Sequence, residues 1–536
     1  MKKIERAIIS VFDKGGVLDL VKVLVNEFKV EILSTGGTGR LLDENGIKFT
    51  KISDYTESPE MFDGRVKTLH PRIEGGILYR RSLESDKKDA NQYNIKPIDM
   101  VVCNLYPFKL FIENNKNSSE IEQILEMIDI GGPTMIRAAA KNFPDVIVVP
   151  SPVYYNEIIE ELRKNKGAIT ERTRLFLAQE VFAIMADYNA AIAEYLQKYY
   201  NPEALLPHTI IKVYDKVQDC RYGENWDQAA AYYKGLSAKY GLHSLKQLGG
   251  KEISFNNYLD IDSCMQMLLD FGKENHVTAI LKHTSPNGMA IDKVDQLKSV
   301  QMAFSCDPLS AFGGIWGVNQ ELTKEVADFI VNQKKIFVEV IMAPSFESDA
   351  LEILKQKENM RILEYGDLLD KREKIYENLE IRGVLGGILV EEYDSKPVIK
   401  DWNVVSKKQV DEIEKEALIF AYKVSKWAKS NSACFAQTYD NGVYSIGIGA
   451  GQQSRVHVVK LAAQKAIEFG HKDELKDSVM GTDSFFPFPD GLEAAVNVGA
   501  KAIINPGGSI RDEQVIQRAD ELNCALVFCG KRVFRH

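Results

Sequence analysis

Residues 278–290 read TAILKHTSPNGMA, and residues 306–314 follow as CDPLSAFGG after a short helical segment. The run 278–281 is short and apolar, of strand character, and it ends abruptly in Lys282, His283 and a turn expected over Ser285-Pro286-Asn287-Gly288. A strand that carries a cation and an imidazole to its C-terminal edge puts a titratable base where α/β sheets bind ligands. Downstream, Gly313-Gly314 lets a ligand approach the backbone closely. Taken alone, an adjacent Lys and His are more often a solvated surface than a site, so the weight falls on the rest of the chain.

Working outward, the pattern is α/β throughout. In the first 150 residues, AIISVF at 7–12, VEILS at 30–34, MVVCNLY at 100–106 and VIVVP at 146–150 read as buried parallel strands alternating with helical patterns. Residues 171–200 form one long amphipathic helical pattern, suited to a closing or dimer-forming element, which Pro202 and Pro207 end. This places a first domain over 1–199, a linker over 200–219 and a second part over 220–536. Later strands are expected at 278–281, 338–343, 384–390, 443–448 and 501–504, and the charged stretch 355–380 reads as a solvated excursion.

At 536 residues the chain needs more than one core. A net charge of -9 without a basic tail argues against a general nucleic-acid or membrane-surface binder, though a pocket can be basic on an acidic protein. Seven scattered cysteines, never spaced Cys-x-x-Cys, give neither a disulfide framework nor a zinc site, and the chain reads as cytoplasmic and reduced.

Several loops of the first half carry chemistry. Ser34-Thr35-Gly36-Gly37-Thr38 follows a strand directly, and Ser10 and Lys14 end another strand on the same sheet edge. Backbone N–H groups, hydroxyls and a helix N-terminus there make a phosphate cradle. Arg65, Lys67 and Thr68 share a turn with His70; Asn104 and Tyr106 end a strand; Asp129 precedes a second Gly pair; Lys141 follows a run of alanines. Each alone could cap or turn the chain, but together they describe an anion site with acid/base groups. No Gly-x-x-x-x-Gly-Lys-Ser/Thr occurs, so this is not a P-loop.

The runs SVFDK, STGGT, DGRVKTLHP, NLYPF, IDIGG and AAAKN, in this order, resemble the inosine-monophosphate (IMP) cyclohydrolase half of the bifunctional purine-biosynthesis family. RYGEN, SFNNYLD, LKHTSPNG, DPLSAFGG, VEVIMAP, SNSACFA, GIGAGQQSR, FFPFPD, PGGS and the terminal RVFRH resemble its 5-aminoimidazole-4-carboxamide ribonucleotide (AICAR) formyltransferase half. The resemblance implies a doubly wound first domain like methylglyoxal synthase and a transferase part of two cytidine-deaminase-like α/β lobes. It also implies an obligate homodimer with transferase sites at the interface. The zinc signature of such deaminases is missing from the sequence, so no metal is expected.

By the same resemblance, the substrates are AICAR and 10-formyltetrahydrofolate, the latter a cosubstrate and not a tightly bound cofactor. His283 would take the proton of the attacking amine, Lys282 would act electrostatically, and Asn431 would hold the formyl oxygen or the amine. Arg221, Tyr222, Gly313, Glu339, Arg532 and Phe534 match nucleotide-binding positions; Arg455, Val456, Phe485 and Ser509 match the folate pocket; His536 matches a terminal His near the nucleotide. Lys67, Tyr106, Asp129 and Lys141 match the catalytic set of ring closure, and Ser10, Lys14, Ser34, Thr35, Gly37, Thr38 and Arg65 the phosphate and ribose contacts, with Thr68 and Asn104 beside them. Trp226-Asp227 stands where the family usually has Pro-His, Glu74 where it has His, and Phe143 where many members have His. The alternatives are a chain that keeps one of the two activities, or a purine-nucleotide sensor on the same scaffold.

Overall fold

A computed structural model describes residues 3–115, 121–236, 238–333 and 335–536. The chain divides into two compact units, Met1–Val213 and Tyr214–His536. The first is built on a five-stranded sheet in the order β3-β2-β1-β4-β5, with β1 Arg6–Ile9, β2 Glu31–Ser34, β3 Thr50–Lys51, β4 Met100–Val102 and β5 Ile147–Val149. Every neighbouring pair is parallel. All residues of β4 and β5 are buried, so both faces are covered, which is why these strands read as unbroken apolar runs. Strand order reverses between β1 and β4, and the crevice beyond their carboxyl ends is where a doubly wound sheet takes a ligand.

The helices that matter here are α1 Gly36–Glu44, α2 Pro71–Leu78, α3 Gly131–Lys141 and α4 Glu171–Tyr200. The long helix runs over the residues expected for it, capped by the Thr170 side chain and ended before Pro202. Among the described residues only this helix is long and apolar enough to cross a membrane. It instead buries Leu177, Val181, Met185 and Tyr188 in the core of the first unit.

The second unit holds a twelve-stranded sheet made of two lobes with the same succession of elements. An outlying hairpin, β6 Tyr214–Cys220 and β7 Ala230–Gly235, comes first, so β6 begins inside the stretch expected to be a linker. In lobe one, the edge strand β8 Lys246–Gly249 leads into helix α5 Phe255–Phe271. The hairpin β9 His276–Lys282 and β10 Ser285–Asp292 comes next, followed by β11 Gly314–Val318, β12 Val338–Ala343 and β13 Arg361–Glu364. A separate hairpin, β14 Leu379–Val384 and β15 Gly387–Glu392, joins the lobes.

Lobe two repeats the plan with edge strand β16 Asn403–Val404, helix α6 Glu412–Trp427 and the hairpin β17 Ala433–Tyr439 and β18 Gly442–Gly449. Helix α7 Arg455–Glu468, β19 Val479–Thr482, β20 Ala502–Asn505 and β21 Ala525–Phe528 complete it. The sheets fuse through antiparallel β10 and β18, with Ala290 opposite Tyr444.

Three expectations are corrected. The segment 285–288 is not a turn but the start of β10; the turn is His283-Thr284. The charged stretch 355–380 is not a solvated excursion throughout, because β13 runs through it and buries Arg361, Ile362 and Leu363. The expected strand 384–390 spans a hairpin, with Leu385-Gly386 as its turn.

Candidate active sites

In the second unit one sheet edge gathers the motif residues. β9 ends there at Lys282, antiparallel β11 begins there just after Gly313, and β12 begins there beside Glu339. β17 starts and β18 ends at the same edge, with Ala433 opposite Gly449 and also opposite Thr482 of β19. Two residues 149 apart in sequence, Lys282 and Asn431, are thus set on one rim by strand register.

Lys282 Nζ donates to the Phe312 carbonyl at 2.9 Å, next to Gly313, whose left-handed φ of 72° suits glycine. His283 is exposed at the hairpin turn, and its peptide N–H reaches Asp260 of α5. Asn431 Nδ2 donates to the Gln452 carbonyl at 2.6 Å, and the Ser430–Asn431 peptide is cis. A cavity of ≈ 180 Å³ opens here, lined by Ser430, Asn431, Gln452, Phe534 and His536.

Residues 533–536 are part of this rim. Val533 N–H donates to the Asp483 carbonyl at 3.1 Å, Ser430 N–H to the Arg535 carbonyl at 2.9 Å, and Arg382 to the His536 carbonyl at 3.2 Å. His536 meets Phe534 edge-on, and Arg532 lies 4.5 Å over the Phe534 ring.

Other expected binders are already engaged. Arg455, at the start of α7, forms a close ion pair with the fully buried Asp483 and reaches Thr482 Oγ1 at 3.1 Å. Glu339 accepts from Arg361 at 2.6 Å. Ser509 donates its N–H to Asp512 and accepts from Arg511 N–H; Val456 and Phe485 are half-buried nearby in sequence. Arg221 stacks on Tyr222 in the β6–β7 loop, which Asn256 of α5 ties down through the Glu224 carbonyl at 3.3 Å.

In the first unit the loops after β1, β2 and β4 converge at the switch point. Ser10 N–H donates to Val102 O at 2.9 Å, and Asn104 Oδ1 accepts from Phe12 and Asp13 N–H at 2.7 and 2.9 Å. Ser34 Oγ is spent on the Ile9 carbonyl, Thr38 Oγ1 on Val11, and Thr35 Oγ1 on Glu60. These hydroxyls brace the loops, leaving the N–H groups at the start of α1 and the Lys14 ammonium, close against Gly37, to meet an anion.

Asp129 lies within electrostatic reach of both Lys67 and Tyr106. Burial raises the Asp129 carboxyl above its usual pKa against the Gly132 N–H bond, 2.9 Å, and the Lys67 charge, which lower it. Burial, and then the Asp129 charge, push the Tyr106 phenol up. Thr68 is buried against Gly131, where a Cβ would lie 2.7 Å from its Oγ1. Arg65 is ion-paired with Glu126 on the surface. Lys141 is not brought to this group: it ends α3, ten residues and so ~15 Å along the helix from Gly131. A second cavity, ≈ 290 Å³, adjoins Asp129 between α3 and α4, lined by Thr134, Arg137, Tyr188 and Asn189.

Two supporting residues lie outside every motif run, Asp483, under Ser430 and Arg455, and Tyr188, which meets the backbone of Asp129; a third, Asp260, closes the SFNNYLD run, which assigns it no role, and it meets the His283 turn.

Comparison with known proteins bears on both units. A family model for the MGS-like domain matches residues 16–134, and one for the AICARFT/IMPCHase bienzyme matches residues 139–465. Among solved structures, one described as "Crystal structure of ForH" is 34% identical over 36% of this chain and 96% of its own, with a TM-score of 0.33. With the larger family model spanning well over half its length, the chain belongs to the AICARFT/IMPCHase bienzyme family.

Proposed function

We propose that the enzyme performs its family's two steps at two separate sites, formyl transfer on the rim of the second unit and ring closure at the switch point of the first. The observation that carries this reading is strand register, which sets the Lys282-His283 turn and Asn431 on one rim, with a cavity at Asn431. The family uses a folate-derived formyl donor, which we take to be 10-formyltetrahydrofolate, with AICAR as acceptor.

The AICAR 5-amino group is a weak nucleophile because its lone pair is conjugated with a carboxamide-bearing imidazole. The exposed His283 imidazole takes its proton as the N–C bond forms. Lys282 offers positive charge to the developing formyl oxyanion, and Asn431 adds an amide dipole. Tetrahydrofolate leaves with a proton returned from the imidazolium. In ring closure the carboxamide nitrogen attacks the formyl carbon and water departs. Asp129 accepts the amide proton while Lys67 or Tyr106 protonates the formyl oxygen; the resulting hydroxyl then leaves as water with the proton from Asp129, as the formamide N–H proton returns to Lys67 or Tyr106. The Lys14 ammonium and the start of α1 hold the 5'-phosphate. The enzyme works as a homodimer, a reading supported by the exposed apolar side chains of Val384, Leu385, Ile388 and Leu389 on the β14–β15 hairpin.

His283→Ala tests the assignment. It should abolish formyl transfer and leave cyclisation of supplied formyl-AICAR intact; loss of both activities in a folded protein would overturn the two-site reading.

A further inference from the structure

The turn that carries His283 is unusual for its sequence. Lys282 pairs with Ser285 across a two-residue loop, and both loop residues are left-handed, with φ 56° at His283 and 61° at Thr284. A two-residue hairpin loop with both central residues at positive φ is a type I′ turn, normally filled by Asn-Gly or Gly-Gly. Here it holds an imidazole and a β-branched threonine, for which this backbone is strained. Such a turn persists only where its surroundings hold it.

Asp260 supplies that hold. From α5 its Oδ2 accepts the His283 N–H at 3.2 Å and its Oδ1 the Thr284 N–H at 2.6 Å, so one carboxylate grips both strained peptides. The same helix also references the opposite half of the rim. Ser263 Oγ, nearly one turn on, accepts from Arg535 at 3.1 Å, and the Arg535 carbonyl receives the Ser430 N–H beside Asn431.

We infer that Asp260 is a positioning residue of formyl transfer, clamping the strained His283-Thr284 turn so that the imidazole faces the acceptor amine. The inference rests on His283 being the base. Asp260 touches the turn's backbone and acts through it.

The test compares Asp260→Ala, Asp260→Asn and the double variant Asp260→Ala/Thr284→Gly in the full-length enzyme, with AICAR and 10-formyltetrahydrofolate as substrates. Asp260→Ala should lower kcat of formyl transfer about 10- to 100-fold through misplacement of the base. KM for AICAR should stay within about threefold, and cyclisation of supplied formyl-AICAR should be unchanged. Adding Thr284→Gly should restore most of the lost kcat, because glycine accepts a positive φ without a clamp. Asp260→Asn, keeping one acceptor oxygen, should fall between.

An unchanged kcat in Asp260→Ala overturns the inference. So does a loss that Thr284→Gly leaves untouched, which would mean that Asp260 acts directly on the reactants. Should the alanine variant fail to fold, a lowered kcat at constant KM in Asp260→Asn supports the clamp and wild-type kcat there overturns it. Full formyl transfer by His283→Ala would instead remove the underlying reading, whereas an inactive His283→Ala beside a fully active Asp260→Ala removes only the clamp.

Discussion

The peptide N–H of Asp129 donates to the hydroxyl of Tyr188 at 2.7 Å, and that hydroxyl donates in turn to the Met127 carbonyl at 3.2 Å. A residue of the long helix α4 thereby fixes the backbone from which the Asp129 carboxylate projects. Tyr188 is buried and meets Phe108 edge-on, so its ring is held independently of the hydroxyl. Tyr188→Phe should keep that packing and release only the turn. We expect cyclisation kcat to fall roughly 3- to 10-fold from misplacement of the carboxylate, with formyl transfer unchanged. The orphaned N–H should cost about 1–2 kcal/mol of stability. Steady-state assay of each half-reaction with a thermal melt checks this; an unaltered cyclisation kcat beside a lowered Tm would leave Tyr188 a packing residue only.

Glu74 makes a prediction in pH. It lies on α2, its Oε1 is buried without a hydrogen-bond partner among the described residues, and burial raises its carboxyl to about 7. A carboxyl that titrates higher folded than unfolded binds more protons in the native state between those two values. Stability therefore falls as pH rises from about 4.5 to about 7 and stays lost above that. Glu74→Gln cannot ionise. It should exceed the wild type in stability at pH 8 by about 1–2 kcal/mol, once solvent screening of a partly exposed group is allowed for. The gap should close at pH 4.5 in urea unfolding; a constant gap across that range would show that ionisation is not its cause.

How much was legible depends on how far each residue's partner lies along the chain. The α4 helix was readable from 3.6-residue periodicity alone, and β12 from its apolar run bounded at 338 and 343. The segment 285–288 misled because Pro286 and Gly288 serve packing within a bulged strand. A Cβ at Gly288 would lie 1.9 Å from the Ala303 carbonyl, so the glycine admits a helix and does not make a turn. β13 hid among charges because Arg361 is neutralised by Glu339 on the adjacent strand. Motif residues at the sites were readable as types, but the bonds that support them were not. Asp260 acts 23 residues from His283 and Tyr188 59 residues from Asp129, through bonds that only the fold creates.

The two lobes offer a controlled comparison at the residue following β11 and β19. Asn319 holds that place in lobe one: it accepts the Val277 N–H at 2.8 Å and donates to the carbonyls of Gly272 and Asn275 at 2.8 and 2.7 Å. Asp483 holds it in lobe two, where it accepts the Ser432 N–H at 3.1 Å, the Ser430 hydroxyl and the Arg455 guanidinium. Val277 and Ser432 each precede the strand residue opposite 318 or 482, so the positions correspond. An amide thus suffices to close this loop, and the carboxylate is needed only where a buried arginine and a hydroxyl converge. Asp483→Asn should therefore fold, yet leave the Arg455 charge unmatched in a site with 10% of that side chain exposed. Breaking such a pair from one side costs about 3–5 kcal/mol, less whatever the retained amide oxygen recovers, whereas replacing both partners by apolar groups is close to neutral. With an amide kept at 483 for the Ser432 N–H, the order expected in denaturant unfolding is wild type, then Asp483→Asn/Arg455→Met, then Asp483→Asn, then Asp483→Ala. Because Ser430 precedes Asn431, formyl transfer should fall along with stability in the last two variants. If Asp483→Asn matched the wild type in both measurements, the charge at 483 would have no role and the two lobes would be equivalent at this position.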